Sequence, residues 1–177
     1  MNKEKQLKPE EIVKYFKDEF KTKIMDTRIE KKKAGKKNEV VTIWIKVDKS
    51  IFKKAVKHLM GLDFPHLAVA SGSDMGKTIE LIYHFSIYYG TRNEEISSNI
   101  SVDLPKSNPT LETISDIIPG ALITEREKQE MLGVKIKGIP DNRRVFLPEN
   151  FPVGVYPWRK DETGPDKMVR NLHEVKK

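Results

Sequence analysis

Between Thr124 and Asp161 the chain reads TEREKQEMLGVKIKGIPDNRRVFLPENFPVGVYPWRKD, and this stretch restricts the possible folds more than any other. Five prolines fall between Pro140 and Pro165. Each fixes its own φ and removes a backbone donor, so most of the segment is neither long helix nor central strand. Its charges and aromatics follow neither the period of a helix nor that of a strand, and it has too few apolar residues to build a core of its own. It reads as an arm that lies along something else.

The residues ahead of it supply that something else. Pro9-Glu10-Glu11 opens a helix, with proline in the first turn and two acids beside the exposed amides. Ile12, Val13, Tyr15, Phe16 and Phe20 then recur on one face. Lys23 to Glu30 and Glu39 to Val47 read as strands, the second with Val41, Ile43, Ile45 and Val47 alternating against Thr42, Trp44 and Lys46. The intervening KKKAGKKN is a hairpin connection. Asp48 or Ser50 caps a second helix through Ile51, Phe52, Ala55, Val56, Leu59 and Met60, stopped by Gly61.

Pro65 to Ser71, Thr78 to Tyr89 and Glu95 to Val102 follow as strands, joined by GSDMGK and GTRNEE. The order predicts an α+β fold, an antiparallel sheet with helices packed on one face, followed by an extended irregular C-terminal arm. The expected units are a globular domain over 1–104, a connector with a short capped helix over 105–139, and the arm over 140–177. Within the connector, Leu111 to Ile118 reads as a helical turn. Thr124 with Glu127 three residues on reads as a capping box, and Gly133 ends that helix.

Composition narrows the chemistry. The 177 residues include no cysteine, which excludes disulfides and thiolate-held metal or iron-sulfur clusters in this chain. His58, His66, His84 and His173 show no ligand spacing and read as ordinary surface or core histidines. There is no apolar run long enough to cross a bilayer and no hydrophobic leader at the start, which predicts a cytosolic or peripheral protein. The net charge of +7 is concentrated in the first third, above all in EKKKAGKK at 30–37. Such a patch suits an anionic partner, and a free-standing nucleic-acid-binding module using Lys31 to Lys37 is the alternative reading; a solvated hairpin tip explains the same charges. Of 33 basic residues 26 are lysine, a balance like that of hyperthermophile proteins.

Gly72-Ser73-Asp74-Met75-Gly76-Lys77-Thr78 superficially resembles a phosphate-binding loop. Such a loop needs four residues between its glycines and a helix after it. Here there are three, and a strand follows, so the segment is a hairpin turn.

On the arm, Arg143, Arg144, Arg159 and Lys160 interleave with Phe146, Phe151, Tyr156 and Trp158. Arginine and aromatic side chains are the types enriched at interface hot spots, and guanidinium groups bond carboxylates in a planar two-pronged geometry. The accompanying Asp141, Glu149, Asp161, Glu162 and Asp166 repel phosphates, which favours a protein partner over nucleic acid. If Glu127 serves the cap, Glu125 and Arg126 are left to bond a neighbouring chain or the arm. The candidate subunit-interface residues are thus Glu125, Arg126, Arg143, Arg144, Phe146, Tyr156, Trp158, Arg159, Lys160 and Asp161, with no catalytic, cofactor or metal residue among them.

Five blocks stand in a characteristic order: Glu125-Arg126-Glu127, Met131-Leu132-Gly133-Val134, Gly138-Ile139-Pro140-Asp141, Arg143-Arg144-Val145-Phe146-Leu147-Pro148 and Pro157-Trp158-Arg159-Lys160-Asp161. Together they resemble the 30 kDa subunit family of respiratory complex I and its hydrogenase relatives. Ile123-Thr124 replaces an aromatic pair, Ile139 a histidine, and Trp158 a leucine. These departures point toward the ferredoxin-linked membrane-bound hydrogenases and sulfane sulfur reductases of anaerobic archaea. The resemblance implies a non-catalytic structural subunit of a peripheral electron-transfer arm coupled to ion pumping, on the cytoplasmic side of the membrane. It implies a hetero-oligomer with a cluster-bearing small subunit, a large catalytic subunit and antiporter-like membrane subunits. The iron-sulfur clusters would belong to the partners, membrane contact would be indirect, and no nucleic acid would be bound.

Overall fold

A computed structural model describes residues 6–34, 38–90 and 94–168. The tip of the basic hairpin at 35–37, part of the GTRNEE link and residues 169–177, including His173, lie outside the described residues. Helix α1 (Pro9–Phe20) is followed by strands β1 (Ile24–Ala34) and β2 (Asn38–Val47), helix α2 (Phe52–Met60), and strands β3 (His66–Asp74), β4 (Thr78–Ile87) and β5 (Ile96–Pro105). A short strand β6 (Thr110–Glu112), helix α3 (Ala121–Leu132) and short strand β7 (Lys135–Lys137) complete the regular structure before the arm.

The sheet order is β1-β2-β5-β4-β3. Three of its four pairings are antiparallel, whereas β2 and β5 run parallel at its centre. Alternation within each strand is silent about this. After β2 the chain crosses the sheet through α2 and starts β3 at the far edge, parallel to β2. Then β4 and β5 fold back inward until β5 meets β2.

Period-two patterning chooses the faces. Ile43, Ile45 and Val47 of β2 and Ile79, Leu81, Tyr83, Phe85 and Ile87 of β4 are buried beneath the helices. Against them lie Ile12 and Phe16 of α1 and Phe52, Ala55, Val56 and Leu59 of α2. The Phe52 and Tyr83 rings meet at 4.6 Å. His58 joins the two helices: its ring stacks on Tyr15 at 3.7 Å, and its Nε2 lies 3.2 Å from the Tyr15 carbonyl. The opposite face of the sheet is polar. There His84 bonds Ser71 and Asn99, and Lys46 pairs with Glu80 and Asp103.

Residues 105–139 pack into the same core, through Leu111, Ile114, Ile118, Ala121, Leu132, Val134 and Ile136. The helical turn read over Leu111 to Ile118 is present at its end, where the Ile118 N–H reaches the Ile114 carbonyl at 2.8 Å, but its first residues belong to β6, which pairs with β7 in parallel. Thr124 is not the cap of α3, which begins three residues earlier, immediately after Pro119-Gly120. The Thr124 hydroxyl instead accepts the Ala70 N–H at 2.8 Å and donates to the Ala70 carbonyl at 3.1 Å. Ala70 is on β3, the edge strand, so α3 covers an edge whose backbone groups would otherwise be open to pairing. Glu127 pairs with Lys128.

The Gly72–Thr78 segment is the β3–β4 hairpin. The Asp74 carboxylate accepts the Gly76 N–H at 2.8 Å, and Gly76 takes φ +86°. Among the described residues no helix is long and apolar enough to cross a membrane.

Candidate subunit interface

Helix α3 is polar on both its inner and outer faces, and each polar side chain has a defined task. Inward, Glu125 is completely buried. Its Oε1 accepts the Ile114 N–H at 2.9 Å and the Tyr83 hydroxyl at 3.3 Å, while Oε2 accepts the Thr113 hydroxyl at 2.5 Å. Burial pushes the Glu125 carboxyl above the usual range, and these hydrogen bonds oppose the shift without cancelling it. Burial, with the Glu125 charge beside it, raises the Tyr83 phenol well above its ordinary value.

Outward, Arg126 and Glu130 stand one turn apart and hold consecutive peptide groups of the arm. Arg126 donates from Nε at 2.8 Å and from Nη2 to the Arg143 carbonyl, reaches the Arg144 carbonyl at 3.3 Å, and pairs with Asp141 at 3.1 Å. Glu130 accepts the next three amides: Val145, Phe146 at 3.0 Å and Leu147 at 2.9 Å. A cation on the carbonyls and an anion on the amides fix the register of a segment that has no sheet partner. Asp141 also takes two side-chain bonds from Arg143, at 3.0 and 2.8 Å; chiefly for this reason its carboxyl lies well below the usual range. Arg144 folds the next loop by donating to the Pro148 carbonyl at 2.7 Å and the Phe151 carbonyl at 3.1 Å.

The Pro157-Trp158-Arg159-Lys160-Asp161 block seats on the C-terminus of α3. The last carbonyls of a helix lack intrahelical donors. Here the Trp158 N–H reaches the Met131 carbonyl at 2.9 Å and Arg159 Nε reaches that of Leu132 at 2.6 Å, placing a cation at the negative end of the helix. Gly133 turns the chain in the left-handed region at φ +67°. The Tyr156 ring lies so close over it that a Cβ would come within 2.6 Å. Lys128 lies 4.7 Å from the Trp158 ring centre, and Arg159 5.7 Å from that of Tyr156.

Sequence patterning missed the far anchor. The Asp74 side chain is fully buried, accepts the Lys160 N–H at 2.8 Å, and pairs with Lys106 at 2.7 Å. Lys106 pairs in turn with Asp161 at 2.6 Å. Burial opposes the Asp74 charge, but Lys106 and the amides of Lys160 and Gly76 outweigh it, so its carboxyl is lowered. The only available signal was an acid in a turn, which reads equally well as a local hairpin residue.

The expected interface residues therefore separate into groups. Arg126, Arg143 and Arg144 meet, as do Tyr156 and Arg159; Lys160 and Asp161 join Asp74 and Lys106. Glu125 faces the other way, into the core. Several apolar side chains of the arm point outward, with Phe146 54% exposed, Val153 93% and Trp158 41%, while Leu147, Phe151 and Val155 are half-buried. Among the described residues no three His, Cys, Asp or Glu side chains gather as they would around a metal ion.

Comparison with known proteins finds relatives of this chain. The beta subunit of the membrane-bound hydrogenase of Pyrococcus furiosus is 38% identical over 131 residues, covering 73% of this chain and 75% of that one. A subunit of the F(420)H(2) dehydrogenase of Methanosarcina mazei is 32% identical over 130 residues, 71% and 79% of the two chains. Among solved structures, a chain of the membrane-bound sulfane sulfur reductase, an archaeal respiratory membrane complex, superposes with a TM-score of 0.65 at 21% identity, covering 85% of this chain and 83% of that one. At that identity the superposition speaks for the fold. Residues 45–167, from β2 through the arm, match the family described as respiratory-chain NADH dehydrogenase, 30 Kd subunit, and the chain belongs to that family of oxidoreductase-complex subunits.

Proposed function

We propose that this chain is a non-catalytic scaffold of the peripheral electron-transfer part of a complex I-like, ferredoxin-linked, ion-pumping membrane-bound oxidoreductase, of the hydrogenase or sulfane sulfur reductase type. It docks against the cluster-bearing small subunit and the large catalytic subunit, which carry the redox chemistry, and it reaches the cytoplasmic side of the membrane only through them. The names of its relatives, a hydrogenase subunit and a reductase complex, support the class of assembly.

The observation that carries the reading is the division of labour along the arm. Its backbone is committed to α3 and to the β3–β4 hairpin, Arg159 is seated on the end of α3, and Arg144 is turned onto the arm's own carbonyls, while Phe146, Val153 and Trp158 are held outward against water. A rigid backbone that displays apolar side chains loses little further entropy when a partner covers them. Arg143, whose side chain is 86% exposed, stands beside them as the polar rim.

A doubly charged arm, Phe146→Asp with Val153→Asp, tests this in cells that assemble the complex. Co-purification of partner subunits with the tagged chain should fall at least about tenfold, the order expected when interface anchors are lost, while the melting temperature of the isolated chain stays unchanged. Undiminished stoichiometric association would remove the arm from the interface.

A further inference from the structure

The small parallel sheet beneath α3 is paired on one side only. The Lys135 N–H donates to the Pro109 carbonyl at 2.8 Å, and the Lys137 carbonyl accepts the Thr113 N–H at 2.9 Å. Residues 135 and 137 thus direct their backbone groups to β6. Ile136, between them, directs its N–H outward, and there it meets the side-chain Oε1 of Gln129 at 3.1 Å. The amide nitrogen of Gln129 goes on to Asn142 Oδ1 at 2.8 Å. A glutamine amide has the same donor and acceptor as a peptide group, so Gln129 occupies the place where a neighbouring strand would pair.

Alongside this edge runs a groove of about 440 Å³, whose walls include Gln129, Gly133, Lys135, Lys137, Asn142 and Tyr156. It has two lysines and no carboxylate. Lys135 and Lys137 are both exposed, two residues apart on the same face of β7. Glu112 lies beside Lys137 in register on β6 and still leaves the edge with an excess of positive charge.

We propose that the outer edge of β7 receives an extended acidic segment of a partner subunit as an added strand, which displaces Gln129 from Ile136. The inference rests on the scaffold reading above and names a second point of attachment, distinct from the exposed apolar side chains of the arm. An open strand edge selects an extended peptide, because its N–H and C=O groups repeat at the spacing of another strand. The two lysines select carboxylates at alternate positions on that strand. The chain's own residues 169–177 are a poor occupant on charge alone, since Arg170, Lys176 and Lys177 outnumber Glu174.

Hydrogen-deuterium exchange on the intact complex and on the isolated chain decides the matter, with carbodiimide crosslinking on the same two samples. Peptides spanning residues 133–140 should exchange at least about tenfold more slowly in the complex, as expected when an edge strand gains a partner. Carbodiimide should join Lys135 or Lys137 to an aspartate or glutamate of another subunit, and Lys135→Glu with Lys137→Glu should abolish both signals while the arm keeps the chain in the complex. If the chain co-purifies but this edge exchanges as it does in isolation, the strand-addition proposal is wrong and the scaffold reading stands. Crosslinks to residues 169–177, or to a second copy of this chain, would overturn it equally. Loss of co-purification by the unaltered chain would instead bring down the scaffold reading itself.

Discussion

Glu125 and Glu130 stand five residues apart on α3 and work under opposite conditions. Glu130 meets the arm at the surface, whereas Glu125 is sealed among Tyr83, Thr113 and Ile114. Because the folded chain raises the Glu125 pKa above 4.5, it holds that proton more tightly than the unfolded chain does. The contribution of this group is therefore fully present below the ordinary pKa and declines as pH rises through the folded value. Glu125→Gln keeps an acceptor for Ile114 and removes the buried charge. The variant should lose that slope, gaining on the wild type in urea midpoint as pH rises above 4.5. Parallel midpoint-versus-pH curves for the two proteins would show that the carboxylate bears no such cost. Glu125→Ala should instead be less stable by about 1–3 kcal/mol, the range for buried donors left without partners, as read from urea unfolding at neutral pH.

At the scale of elements, what was legible depended on whether a neighbour had to be known. The strands followed from alternation: one-in-two burial in β2 and β4 leaves little freedom. Gly133 ended its helix as read. The start of α3 did not, because Thr124 and Glu127 carry the spacing of a capping box but also the chemistry of any polar contact. The edge of β3, 54 residues away in sequence at Ala70, took Thr124, and the helix began at the Pro119-Gly120 break. The parallel β2–β5 pairing was likewise hidden, since it arises from the crossover and not from either strand. The arm was recognisable as a piece needing support, but nothing in its own residues named the supporter. That supporter is α3, through a cation and an anion one turn apart, so removing either charge should release the peptide it holds. Glu130→Ala should make residues 143–147 exchange and proteolyse faster, with amides of β4 and β5 unchanged. Equal loosening of the central strands would mean that the arm is integral to the core and not merely clasped.

At the scale of the whole molecule, Asp74 joins parts that are remote along the chain: the β3–β4 hairpin, Lys106 just beyond β5, and Lys160 at the foot of the arm. Together with the Arg126–Glu130 clasp it gives the arm two anchors on different elements, one helical and one on the sheet. A doubly anchored segment comes away as a whole only when both attachments open, and its complete release is thereby tied to that of the sheet. The chain contains its own reporters for this coupling, because its two tryptophans fall one on each side: Trp44 packs against His84 on the sheet, and Trp158 lies over Lys128 on the arm. With each tryptophan alone in a Trp→Phe background, the two fluorescence transitions in urea should coincide for the otherwise wild-type chain, as a single cooperative unit requires. Asp74→Ala leaves the Lys160 amide and the Lys106 ammonium without their buried partner. In that variant the Trp158 transition should move to lower urea and separate from that of Trp44, because the arm can then open from one end while the five-stranded core stands. If both transitions shift together, Asp74 serves the hairpin and the core alone, and the arm depends for its place on α3 without a second hold on the sheet.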